Sequence, residues 1–140
     1  MTKPLSILTL CLCATFARAA NVHVGTTAAL TNSVAAAASN DTVWCSNGNY
    51  QVYNAEVTDG LVVPAGVTVR SVSGNPADVS FDGQASCRAV TLAASSWLIG
   101  VTVSNGNLNE FGAGVYGGSV SNCVITKNVN TYIRRSEKLG

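Results

Sequence analysis

The chain has 140 residues, of which 47% are hydrophobic and only 11% charged, with 8 Lys and Arg against 7 Asp and Glu. That length holds one domain at most. The abundance of Ala, Val, Ser, Thr, Asn and Gly favours strands and turns over surface helices, and a formal charge of +1 excludes a basic nucleic-acid footprint.

The N-terminus reads as an export signal, residues 1–19. Lys3 is the positive n-region, Leu5 to Phe16 the apolar h-region, and Ala17-Arg18-Ala19 an A-x-A box that places cleavage after Ala19. The apolar run is too short for a membrane anchor, and no stop-transfer pattern follows. Cys11 and Cys13 each follow a leucine, where a lipobox has a small residue. Loss of Lys3 and Arg18 leaves six basic residues against seven acidic ones, a net of −1. The expectation is a secreted or cell-surface protein with no membrane span after processing and no nucleic-acid partner.

Residues 20–40 read as an N-terminal cap. Thr27 to Asn40 is Ala-rich, with Leu30, Val34 and Ala37 or Ala38 on one side of a short helix. Three cysteines survive processing: Cys45, Cys87 and Cys123. An odd count leaves at least one thiol outside any disulfide, and there is no CxxC. With His23 the only histidine, a zinc site is not expected. Small buried hydrophobes are the preferred reading of the three.

From Asp41 to Asn128 the chain repeats. Leu98 to Gly106 (LIGVTVSNG) aligns without gaps on Val120 to Asn128 (VSNCVITKN), at an offset of 22, and Val79 to Gly83 (VSFDG) aligns on Val101 to Asn105 (VTVSN) at the same offset. A second set of brief strands falls between them at looser spacing: Val67 to Val69, Ala89 to Leu92, and Val115-Tyr116. Turn formers occupy the joints: Ser73-Gly74-Asn75-Pro76, Asp82-Gly83, Asn105-Gly106-Asn107 and Gly117-Gly118. Period-2 alternation places Val79/Phe81, Val101/Val103 and Cys123/Ile125 on one face, with Ser80, Thr102 and Val124 on the other. A fixed offset with like residues stacked predicts an all-β solenoid, in which neighbouring coils bury what one coil cannot. About four coils fit, roughly 20 Å of stack at the strand spacing. Residues 129–140 carry clustered charges and no Gly-rich corner, and are expected to be an irregular basic tail. The strand of Val124 and Ile125 then has no strand above it and invites edge-to-edge association.

Asp41 to Tyr50 (DTVWCSNGNY), preceded by an Ala-rich helix, resembles the first coil of secreted right-handed parallel β-helix proteins, the pectin-lyase-like group. Gly112-Ala113-Gly114-Val115 followed by Val120 to Asn128 is similar to the GGA(I/V) and FxxN repeats of polymorphic outer-membrane and autotransporter-like β-helices. Ala113 stands in the second glycine place, and Ile125 where Phe would precede Asn128. The resemblance covers about Thr27 to Asn128. It implies a right-handed parallel β-helix of about four coils with a capping helix, and downstream coils as its neighbours. It also implies one of two functions. The first is a non-catalytic surface module of the adhesin or autotransporter-passenger kind. The second is the N-terminal piece of a polysaccharide lyase or glycoside hydrolase whose catalytic coils lie beyond Gly140.

Such enzymes use clustered carboxylates with Arg or Lys. On the repeat register Asp82 aligns with Ser104 and Thr126, and Asp78 with Gly100 and Asn122, so no carboxylate stacks on another. Asp41, Glu56 and Asp59 lie in the first turns. Asp82 with Arg88 reads as a surface ion pair. No catalytic residue, metal ligand or cofactor is expected. Trp44, Trp97, Phe111 and Tyr116 are the candidate glycan-binding residues, against the plainer reading that they cover the rim of the core. The partner they suggest is a polysaccharide or cell-surface glycan.

Overall fold

Alternating Val and Ile, closed off every few residues by Gly, Asn or Pro, make strands too short to cover a core alone; stacking them in parallel solves this. The protein was analysed as a computed structural model, which describes residues 18–53 and 58–131. The strands are β1 (Asn21–Val24), β2 (Thr42–Cys45), β3 (Gly48–Gln51), β4 (Asp59–Val63), β5 (Thr68–Ser71), β6 (Val79–Asp82), β7 (Arg88–Ile99), β8 (Thr102–Ser104), β9 (Asn107–Leu108), β10 (Val115–Ser121), β11 (Val124–Thr126) and β12 (Val129–Asn130). The helix α1 spans Thr27–Ala36. Residues 1–17, which carry most of the expected export signal, lie outside the described residues.

Three sheets result. The first runs β1-β2-β5-β7-β10, with β4 also on β7; the second runs β3-β6-β8-β11; the third is β9-β12. Every pairing is parallel. Val103 pairs with Phe81 below and Ile125 above, and Leu98 with Val120, all at the 22-residue offset read from the sequence. Val79, Phe81, Val101 and Val103 are fully buried, while Ser80 and Thr102 on the opposite face are half-buried. Each such valine removed from water stabilises the stack by about 1.5–3 kcal/mol.

The looser set of strands needs a correction. Val67 to Val69 and Ala89 to Leu92 recur in the sequence, but they do not stack on each other: β5 lies in register with Trp97 to Ile99. The strand beneath Arg88 to Leu92 is β4, at an offset of 29, a strand the sequence repeats do not mark. The cause is the length of β7. It runs through a corner, so its first half lies on β4 and its second half on β5. Above it, β10 passes from Gly117, opposite Leu92, to Ser119, opposite Trp97. Gly117 and Gly118 both have positive φ there, and a Cβ on Gly117 would overlap the Leu92 carbonyl. This Gly pair lets the upper strand turn in three fewer residues than the strand below.

The helix starts at Thr26, whose Oγ1 accepts from the Ala29 N–H at 3.2 Å, and its Ala-rich run suits a helix. It buries Leu30 and Val34 against the core and lies against β1, β2 and β4. It ends at Ala36, four residues before the expected Asn40, because Asp41 pulls the next segment away. The Asp41 carboxylate accepts from the N–H groups of Ala20 and Ala38, both at 2.8 Å. Those two bonds hold its pKa below the ordinary 3.8. This contribution to stability is present above the ordinary carboxylate range and is lost as pH falls through the depressed pKa.

The Gly- and Asn-rich segments form the corners between strands. Asn105 and Lys127, 22 residues apart, both have φ of 54°. Asn122, at φ 48°, follows Gly100, at 68°, at the same interval, and donates from Nδ2 to the Gly74 carbonyl at 2.7 Å. Asparagine tolerates the left-handed region and can hydrogen-bond locally, so it can replace glycine there. Asn128 has a different task. Its Oδ1 accepts from the Gly106 N–H at 2.8 Å, and its Nδ2 donates to the Val103 carbonyl at 3.1 Å. It thereby ties the Gly106 corner to the strand of Val103.

Of the cysteines, Cys45 and Cys87 are buried. Burial pushes the Cys45 thiol up to about 12, so it stays protonated and unreactive at neutral pH. Cys123 is partly buried against the core.

Pairing continues to Val129–Asn130 on β9, and the Thr131 N–H donates to the Leu108 carbonyl. The expected tail therefore starts later than Val129, because the Asn107 corner strand offers a parallel edge. Residues 132–140 lie outside the described residues. The last strands expose Val120, Val124, Ile125 and Val129, each 44–54% accessible, and among the described residues each is paired on one side only. This 140-residue chain is expected to self-associate through that edge. Sedimentation at tens of micromolar should show dimers or larger species, and a monomer throughout would refute it.

Candidate functional site

Arg88 opens β7 beside Asp59 of β4, and together they organise the most exposed aromatics of the described residues. Arg88 Nη1 donates to Asp59 Oδ1 at 2.6 Å, and the Thr91 hydroxyl donates to the same oxygen at 3.0 Å. The rest of the guanidinium holds the loop before β10: Nε donates to the Gly112 carbonyl and Nη2 to the Phe111 carbonyl, both at 3.1 Å. Its flat face lies 4.7 Å from the centre of the Tyr116 ring. The Arg88 side chain is 10% exposed and Asp59 30%. Such an ion pair stabilises less through its net charge than through fixing geometry, since both groups were hydrated before folding. Here the geometry fixed is that of Phe111, 80% exposed, and Tyr116, 53% exposed.

The sequence reading considered Arg88 with Asp82, but Asp82 turns elsewhere. It accepts from the Gln84 N–H and from Asn105 Nδ2. Asp59 was missed as a partner because the relevant offset is 29, that of β4 on β7, and not 22. The match of Leu61 with Val90 at that offset was the signal that could have revealed it.

The four aromatics do not form one patch. Phe111 and Tyr116 are joined through Arg88. Trp97 lies past the corner of β7, 44% exposed, between the small residues Thr68 and Ser119. Trp44 sits on β2 with both ring faces taken. His23 stacks on it, with centroids 5.9 Å apart and planes 10° from parallel, and the Arg70 guanidinium lies 4.4 Å from its centre. Its Nε1 donates to Asn21 Oδ1 at 3.0 Å. A sugar ring has no free face of Trp44 to stack on.

Among the described residues no three His, Cys, Asp or Glu side chains converge as metal ligands, and no helix is long and apolar enough to cross a membrane. A shallow polar groove of about 270 Å³ lies between Ser86, Asn107, Asn109 and Thr131. Its polar groups bond one another, Asn107 to the Ala85 carbonyl and Thr131 to Asn109. Comparison with protein-family models, curated proteins and solved structures returns no match.

Proposed function

We propose that this chain is an exported, non-catalytic module of a secreted or cell-surface protein. In this reading its strands wind as a right-handed parallel β-helix of the kind its first coil and its Gly- and Asn-rich repeats resemble, and it binds a neutral glycan at Tyr116 and Phe111. The uniform parallel pairing at repeated offsets supports the winding. Exposure of two aromatic rings beside a carboxylate carries the binding. Aromatic faces pack against the apolar face of a pyranose while a few polar groups orient it. Tyr116 has one face on Arg88 and is 53% exposed. Asp59 has its Oδ1 engaged twice, which leaves Oδ2 to accept from a sugar hydroxyl.

The same pair argues against catalysis at this place. A general acid or base exchanges a proton with the substrate, whereas the Asp59 carboxylate is held against a guanidinium whose three nitrogens each donate to a protein oxygen. Nothing in the site favours the reading as an enzyme fragment.

Titration calorimetry with a panel of neutral oligosaccharides tests this. Phe111→Ala and Tyr116→Ala should each weaken binding by roughly tenfold, an aromatic contact of about 1 kcal/mol or somewhat more. Binding that survives both changes, or its absence across the panel, would reject the site.

A further inference from the structure

The outward face of β1, β2, β5, the second half of β7 and the second half of β10 holds a cation with no counter-charge. The alternation that buries Val43, Cys45, Val69 and Leu98 turns Trp44, Arg70, Trp97 and Ile99 to this face. Arg70 stacks on Trp44 and is the register partner of Ile99 on the next strand. It makes no hydrogen bond or ion pair with any described residue. Its Nε is buried with no partner at all, an arrangement that costs free energy unless something completes it. The outward positions of the five strands hold Asn, His, Thr, Trp, Ile, Ser and this one Arg, and no Asp or Glu. The ion pair between Arg88 and Asp59 lies in a different part of the molecule.

The stack also fixes orientation. With Trp44 covering one flat face and Ile99 beside the other, the approach left to a ligand is in the plane of the guanidinium. In that plane its N–H groups form a fork that fits two oxygens of an oxoanion. Trp97 lies diagonally from Arg70, one strand on and two residues back, about 7–8 Å away by strand geometry. Its exposed ring therefore flanks the approach.

We infer that Arg70, Trp44 and Trp97 form a binding site for a singly charged oxoanion, a carboxylate or a sulfate ester, attached to a ring that packs on Trp97. One guanidinium neutralises one charge. His23 is two strands away, on the far side of Trp44, and does not add a second at the same point. This site is independent of the neutral-glycan reading, since it uses other residues on another face.

The test uses one oligosaccharide in three forms, neutral, carboxylated and sulfated, titrated against the 140-residue chain with tryptophan fluorescence as the readout. In Tyr116→Ala, which removes the proposed neutral-glycan contact, at least one anionic form should bind and the neutral form should not, with binding weakened by added salt. Whichever anionic form binds identifies the source. Arg70→Gln should weaken binding roughly tenfold to a hundredfold, the loss of a charge-assisted fork, and Arg70→Lys by less. Ile99→Glu provides a check independent of any loss of folding. It places a carboxylate opposite Arg70 on the neighbouring strand, so it should abolish binding with the melting temperature unchanged or raised. Tyr116→Ala should leave this binding as it is. Equal binding of all three forms, binding of none, or anion binding that persists in Ile99→Glu would overturn the inference.

Discussion

Val103→Asp should unfold the protein or cost it several kcal/mol, while Thr102→Asp should cost about 1 kcal/mol. Val103 is fully buried, stacked between Phe81 and Ile125. A carboxylate there meets no donor: around it are Val101, Phe81 and main chain already paired in ladders. The charge must be taken out of water or the strand must leave the stack. Thr102 is next in sequence but points the other way. Its hydroxyl donates to the Pro76 carbonyl at 2.8 Å, so the substitution removes one hydrogen bond and sets a carboxylate near a carbonyl oxygen. At a half-exposed position water can relieve most of this. Thermal and urea melts of the two variants check the contrast. Losses of similar size would mean that the alternation has been assigned to the wrong face.

Gly106→Ala should be the second severe change, although it adds a single methyl group. A Cβ at Gly106 would overlap the Ala113 carbonyl oxygen and come within 2.9 Å of Asn128 Oδ1. Both atoms are fixed, the first because Ala113 O accepts from the Ala89 N–H at 3.1 Å, the second because it accepts from the Gly106 N–H itself. Relief requires the loop of Gly112 to Gly114 to lift off β7, which gives up the strand start and the Arg88 contacts with it. A loss of about 2–4 kcal/mol is expected. Asn128→Ala attacks the same place from the other side. It takes the acceptor from the Gly106 N–H and one donor from the Val103 carbonyl, at about 1–3 kcal/mol for the N–H that water cannot reach. Gly25→Ala serves as the control, for a Cβ there meets nothing within 4 Å, and it should be neutral or slightly stabilising. If melting temperatures place Gly106→Ala with Gly25→Ala, the close approach at this corner is not what holds the last strands in place.

Both predictions rest on positions that the sequence marked for different reasons. Val103 was legible from alternation and the 22-residue offset alone. Gly106 was legible as a turn former, but its role is a close approach between strands, and that depends on Ala113 arriving from a loop no periodicity describes. The candidate site shows the same division. Phe111 and Tyr116 could be named as candidates, but not separated from aromatics that cover the rim of the core. Their anchoring by Arg88, and the covering of Trp44 by His23 and Arg70, could not.

What the sequence by itself determined is the local period and the offset at which like residues stack: the buried valines, the register of β6, β8 and β11, and the turn at Asn105-Gly106-Asn107. These follow from neighbours along one chain and from steric rules that act within a few residues. What only the tertiary structure decided is which side chains meet across a corner. The 29-residue step from Asp59 to Arg88, the 26-residue step from Trp44 to Arg70 and the 25-residue step from Val90 to Val115 each reflect the length of the loop between two strands. A loop can gain or lose residues without disturbing the strands it joins, so a fixed repeat cannot predict these meetings. The ion pair that holds Tyr116 and the unpaired guanidinium of Arg70 both arise from that freedom.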